Sequence, residues 1–214
     1  MSKVRLKYAL FVAAFIVAVL WIVKLWEVSL HQQFYIYGVY PRRLYGLRGV
    51  LLAPFIHGDF KHLYSNSVPL FVLTAGLFYF YPHRAWKVFI ISWLATYFMV
   101  WLIGRPAYHI GISGLVYALT SFHVFAGIFS GKRGMLAVSL LVIFLYGSAI
   151  WGMLPDFAFD KSWEAHASGY FIGFILALGE IKKDPDQNNE YRFLNFRSEP
   201  DAKIDFDYEY KENS

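Results

Sequence analysis

The chain has 214 residues, of which 57% are apolar, 21% aromatic and only 16% charged, and its mean hydropathy is +0.41. An ordinary soluble domain is about 45–50% apolar and about 25% charged, so one water-facing core of this size cannot hide these side chains, and lipid is their natural solvent. The net charge of +5 divides into a basic apolar body, residues 1–181 at +8, and an acidic tail, residues 182–214 at −3. No basic stripe is interleaved with exposed aromatics, which argues against nucleic acid as a partner. The absence of Cys excludes disulfides, thiolate metal sites and a Cys nucleophile.

A membrane helix needs about 20 mostly apolar residues. Six segments meet or approach that requirement: 8–26, 64–81, 86–103, 112–129, 135–153 and 163–181. Turn-forming and charged residues separate them, among them Pro82-His83-Arg84, Arg105-Pro106 and Ser130-Gly131-Lys132-Arg133-Gly134. The first segment ends in Trp21, Ile22, Leu25 and Trp26 rather than in a small-residue cleavage site, so it reads as an uncleaved span. The expected fold class is an all-α membrane protein, with a membrane domain over residues 1–181. The polar stretch from about residue 184 onward, within the 182–214 tail, reads as a flexible extension.

Orientation follows from Lys and Arg in short loops. An inside N-terminus gives the cytoplasmic side Lys3, Arg5, Lys7, Arg84, Lys87, Lys132, Arg133, Lys182 and Lys183, and leaves the outer short loops Arg105 and Lys161. Both termini are therefore expected in the cytoplasm, with the chain multi-pass in the plasma (inner) membrane. The long first loop, residues 27–61, carries Arg42, Arg43, Arg48 and Lys61 among Tyr and Leu, and is expected to lie partly in the interface.

Polar residues within spans are costly, so each is a functional candidate with an ordinary alternative. Gly111-Ile112-Ser113-Gly114 opens the fourth span, and the bland reading is a helix start. His166 shares a face with Gly169 and Gly173, a small-xxx-small surface that brings another helix close; a carbonyl-bonded structural histidine is the alternative. His62 and Asn66 are four apart and share a face of the second span, with His57 just ahead; interfacial polar residues are the alternative. A metal site is disfavoured, since the spacing is not His-Glu-x-x-His and no carboxylate flanks it within the span. At about 1.5 Å per residue, Asn66 stands roughly 22 Å, Ser113 roughly 24 Å and His166 roughly 20 Å above the inner boundary of the membrane. Three polar residues on three spans thus fall at one level.

A Ser hydroxyl needs a base, and a neutral imidazole is one. Ser113 as nucleophile, His166 as base, and Asn66 with His62 and the Ser113 backbone N–H as oxyanion donors make a complete set of roles for acyl transfer. Glu164 stands only at the outer mouth of its span, so a dyad is expected rather than a triad. Tyr117, one turn below Ser113, is placed to orient His166 by stacking or hydrogen bonding; an ordinary buried aromatic is the alternative. Water could reach this depth through the polar cluster and the loop over residues 104–111.

At these residues the sequence resembles the rhomboid intramembrane serine proteases. The resemblance rests on His57-x4-His62-x3-Asn66 entering span two, Gly111-x-Ser113-Gly114 with Tyr117 at span four, and Ala165-His166-x2-Gly169-x3-Gly173 in span six, and it covers about residues 38–181. It implies a six-helix bundle with a short central fourth helix, a site opening outward, and cleavage of transmembrane protein substrates in the lipid bilayer without a cofactor. It also implies that Ser113 and His166 form the dyad, that His62, Asn66 and the Ser113 N–H form the oxyanion hole, and that Tyr117 supports the histidine. The Trp-Arg pair of many bacterial members is missing from the first loop, where Arg42, Arg43 and Arg48 stand instead. The competing readings are a rhomboid-like pseudoprotease, which typically loses the Ser or the His, and a small transporter or metal- or haem-binding membrane protein, which leaves Gly-x-Ser-Gly without a role.

Overall fold

A computed structural model describes residues 3–131, 133–153 and 162–181. Helix α1, Lys3–Ser29, is closed by His31 in the left-handed region (φ 51°). The His31 N–H donates to Val28 O at 3.1 Å and that of Gln32 to Glu27 O at 3.3 Å. This is the Schellman pattern, with His in the place glycine usually takes.

The first loop is folded rather than extended. It contains a 3₁₀ turn at Phe34–Tyr37, a second at Leu44–Leu47, helix α2 at Arg48–Leu52 and a third turn at Ala53–Phe55. Gly46 and Gly49 lie so close to the backbone of Tyr40 and of Gly38–Val39 that neither position has room for a Cβ. Indole N–H groups of the next span but one fasten the loop: Trp93 donates to Val50 O and Trp101 to Arg43 O, each at 2.9 Å.

Helix α3, Phe60–Phe80, starts four residues before the expected span because Asp59 caps it, accepting from His62 N at 2.7 Å. Helix α4, Ala85–Ile103, is followed by α5, Ser113–Phe129, and α6, Arg133–Tyr146. The expected fifth span, 135–153, divides here: the α-helix stops at Tyr146 and the chain continues as a 3₁₀ segment over Gly147–Met153. Helix α7 runs over Trp163–Ile181. The tail 182–214 and the stretch 154–161 lie outside the described residues.

Three of these helices, α1, α3 and α4, are long and apolar enough to cross a membrane; α5 and α6 are apolar but shorter. The reason for α5 is its place in the bundle. It contacts α3, α4, α6 and α7 and is buried nearly all round, so protein rather than lipid surrounds it, and neither full length nor uniform apolarity is required. Glycine makes the tightest seam. Gly169 faces the carbonyl of Gly114 and Gly173 that of Ala118, both closer than any side chain would permit, so α7 lies backbone to backbone on α5. Among the described residues the one β-type pairing is an isolated antiparallel bridge between Val39 and His109. The fold is all-helical and membrane-embedded.

Candidate active site

The site gathers at the N-terminal ends of α3, α5 and α7. Gly111 (φ +96°) supplies the left-handed turn before α5, a conformation a side chain would strain. It is anchored on both sides: its N–H donates to Ala53 O at 2.9 Å, and the buried Tyr97 hydroxyl donates to its carbonyl. Two residues on, Ser113 begins α5, where the helix dipole favours developing negative charge.

His166 is in the first turn of α7, 7% exposed. Its Nε2 is 2.9 Å from Ser113 Oγ and its Nδ1 is 2.7 Å from Gly152 O. A carbonyl oxygen only accepts, so the proton sits on Nδ1, Nε2 is the free base, and the Ser113 hydroxyl donates to it. The Tyr117 ring stacks on the imidazole, with centroids 4.2 Å apart and planes within 4°. Ser113, Tyr117 and His166 are therefore in one cluster, as the sequence pattern suggested. Gly152 has no sequence signal, because it acts through a backbone atom. A Cβ there would run into the Tyr117 hydroxyl and stand 3.3 Å from His166 Nδ1.

Asn66 and His62 approach from α3. The His62 ring lies against Gly111, with Nε2 3.1 Å and Cε1 2.9 Å from where a Cβ would stand, and Asn66 Nδ2 is 4.0 Å from the same point. Asn66 is 7% exposed, and its Nδ2 has no hydrogen-bond partner among the described residues. An unsatisfied buried donor is costly, and this one stands beside the turn that leads into Ser113. His57, 1% exposed, packs edge-on against His62 with centroids 5.1 Å apart. Its Nε2 accepts a long 3.5 Å contact from Ile112 N. Burial, then the neighbouring His62, pushes the His57 imidazole down to about 3, so it is neutral and braces the turn.

Two further groups carry no motif. Lys24 and Glu27 form a buried ion pair at 2.7 Å near the end of α1. Lys24 Nζ also donates to His57 O at 2.9 Å and Gly58 O at 3.0 Å, and Glu27 Oε1 accepts from Phe34 N at 2.9 Å. The pair pins the residues leading into α3; its signal in the sequence is two charges at the end of an apolar run. Among the described residues no group of three His, Asp or Glu stands close enough to hold a metal ion.

Residues 44–183 match the family model described as Rhomboid domain, about two thirds of the chain. The chain belongs to the rhomboid family. Rhomboid domains are in general those of intramembrane serine proteases, acting on transmembrane substrates within the bilayer. Relatives of this rhomboid include an uncharacterized protein of Mycobacterium bovis, 33% identical over 174 residues, which cover 75% of this chain and 70% of the relative. An uncharacterized protein of Mycobacterium tuberculosis matches with the same figures. One of Mycobacterium leprae is 34% identical over 144 residues, 61% of this chain and 55% of its own. Helix α1, with Lys24 and Glu27, precedes the matched rhomboid region.

Proposed function

We propose that this rhomboid is an intramembrane serine endopeptidase working through a Ser113–His166 dyad. The observation that carries the reading is the 2.9 Å contact of Ser113 Oγ with an imidazole nitrogen left unprotonated by the Gly152 carbonyl. As Oγ attacks the scissile carbonyl carbon, its proton passes to Nε2 and the carbonyl oxygen becomes an oxyanion. Asn66 Nδ2, His62 and the Ser113 N–H at the helix start are the donors that stabilise it. The imidazolium keeps its Nδ1–H bond to Gly152 O, lies under the Tyr117 face and is stabilised there by the ring quadrupole. It then protonates the leaving amine, which frees the new N-terminus and leaves an acyl ester on Ser113. His166 next takes a proton from water as the hydroxide adds to the ester carbon. The C–Oγ bond then breaks, the imidazolium returns the proton to Ser113 Oγ, and the acid product leaves as its carboxylate. Gly152 O does the orienting that a carboxylate does in a triad.

Six spans with both termini cytoplasmic, in the plasma membrane, and transmembrane proteins as substrates complete the proposal. The test is cleavage of a model transmembrane substrate in proteoliposomes. Ser113→Ala and His166→Ala are expected to abolish it. Asn66→Ala is expected to lower kcat about 10²-fold with KM little changed, since oxyanion contacts strengthen in the transition state. Cleavage that survives Ser113→Ala would sink the reading, and a rhomboid that binds the substrate without cutting it would be the pseudoprotease.

A further inference from the structure

The loop between α4 and α5, residues 104–112, contains a buried histidine, His109 (2% exposed), that the chemistry above does not use. Its backbone forms the bridge to the first loop: Val39 N donates to His109 O at 2.9 Å and His109 N to Val39 O at 2.8 Å. Its ring reaches elsewhere. Nε2 lies 3.1 Å from Arg105 O, and Nδ1 lies 2.6 Å from the hydroxyl of Ser162.

Ser162 is the residue immediately ahead of α7. Its hydroxyl accepts from Ala165 N at 3.3 Å, and its carbonyl accepts from the backbone N–H of His166 itself at 3.3 Å. The directions of these bonds are determined. Burial holds the His109 imidazole below its ordinary pKa, so the ring is neutral. The Arg105 carbonyl only accepts, so the ring proton is on Nε2 and Nδ1 is the acceptor. The Ser162 hydroxyl must then donate to Nδ1, which leaves its lone pairs for Ala165 N–H. Donors run in one sense, from Ala165 N–H through Ser162 Oγ–H to His109, and from Nε2–H to Arg105 O. A second tie joins the same loop to α7, the Arg105–Glu164 pair at 3.5 Å.

We propose that His109 is a positioning residue for the dyad, fixing through Ser162 where the first turn of α7 stands relative to the turn that presents Ser113. The proposal rests on the reading of Ser113 and His166 as a dyad. Ser113 is four residues after His109 and His166 four after Ser162, so one side-chain bond joins the segments that deliver the two reacting atoms. Near-attack geometry is sensitive to shifts of about 1 Å.

Two variants of similar size separate the ring's two bonds. In His109→Asn the side-chain oxygen takes the place of Nδ1 and accepts from Ser162. In His109→Gln the amide nitrogen takes the place of Nε2 and reaches only Arg105 O. The full chain is purified in detergent, and three quantities are measured: the rate of fluorophosphonate labelling at Ser113, kcat and KM on a model transmembrane substrate, and thermal stability. His109→Gln and His109→Ala are expected to slow labelling and kcat about 10–100-fold with KM within about two-fold, while His109→Asn stays within about three-fold of wild type. Equal rates for Asn and Gln would mean that the ring merely fills space, and would overturn the proposal even if His109→Ala fails to fold. Labelling of His109→Ala at the wild-type rate would overturn it too. A wild-type chain that takes no label at Ser113 overturns the dyad, and this proposal with it.

Discussion

Two of the helices packed on α5, namely α7 and α6, hold it differently. Against α7 the contact is continuous, with Gly169 on the Gly114 carbonyl and Gly173 on that of Ala118. Against α6 the grip is concentrated at the far end from the site. There Ser139 Oγ lies 3.1 Å from His123 O and 2.9 Å from Val124 O, and fills the space beside Gly127. Farther along, α6 turns Leu140, Leu141, Phe144 and Leu145 outward, and the α-helix gives way to the 3₁₀ segment that carries Gly152. The side chains of the proposed dyad thus sit on a backbone-to-backbone seam, while the carbonyl bonded to the imidazole Nδ1 arrives on a more exposed arm. Close packing supports the proposed pair, and the Gly152 hydrogen bond together with the Tyr117 stack orients the imidazole.

Breaking the tight seam is expected to have the largest effect. Gly169→Val drives a branched side chain into the α5 backbone, and since neither backbone can yield, a loss of about 3 kcal/mol or more is expected, at or above the usual cost of overpacking. Thermal unfolding in detergent measures it; a variant as stable as wild type would mean that the helices do not approach this closely. On the more exposed arm, Gly152→Ala is expected to leave stability nearly unchanged and lower kcat about 10²-fold, because the new methyl displaces Tyr117 and shifts the carbonyl from Nδ1. Adding Tyr117→Phe, which removes the hydroxyl it collides with, is expected to restore part of the loss. Full activity of Gly152→Ala alone would remove the carbonyl from the account. The smallest effect is expected from Ser139→Ala, about 1 kcal/mol of stability from the lost hydrogen bonds, with cleavage unchanged.

The difference between these seams also explains what the sequence could reveal. Gly169, Gly173 and His166 lie on one helix, so their shared face follows from spacing alone, and the polar residues Ser113 and Asn66 stand out against apolar spans. Helix ends were harder to read. Asp59 caps α3, which therefore begins at Phe60, four residues ahead of the expected span; Lys61 counts against an apolar span without preventing a helix. Composition stays apolar to Met153 and predicts one continuous fifth span, whereas α-helical hydrogen bonding stops at Tyr146. Gly152 O, a backbone atom, leaves no trace in residue identity. The His109–Ser162 and Lys24–His57 contacts join residues 53 and 33 positions apart, and no periodicity within an element can indicate such a pairing.

One measurement tests the central claim most directly: mass spectrometry of the fluorophosphonate adduct on the purified chain. The expected result is a single adduct on the peptide containing Ser113, absent from Ser113→Ala and strongly slowed in His166→Ala. An adduct on another residue, or equal labelling in Ser113→Ala, would contradict it.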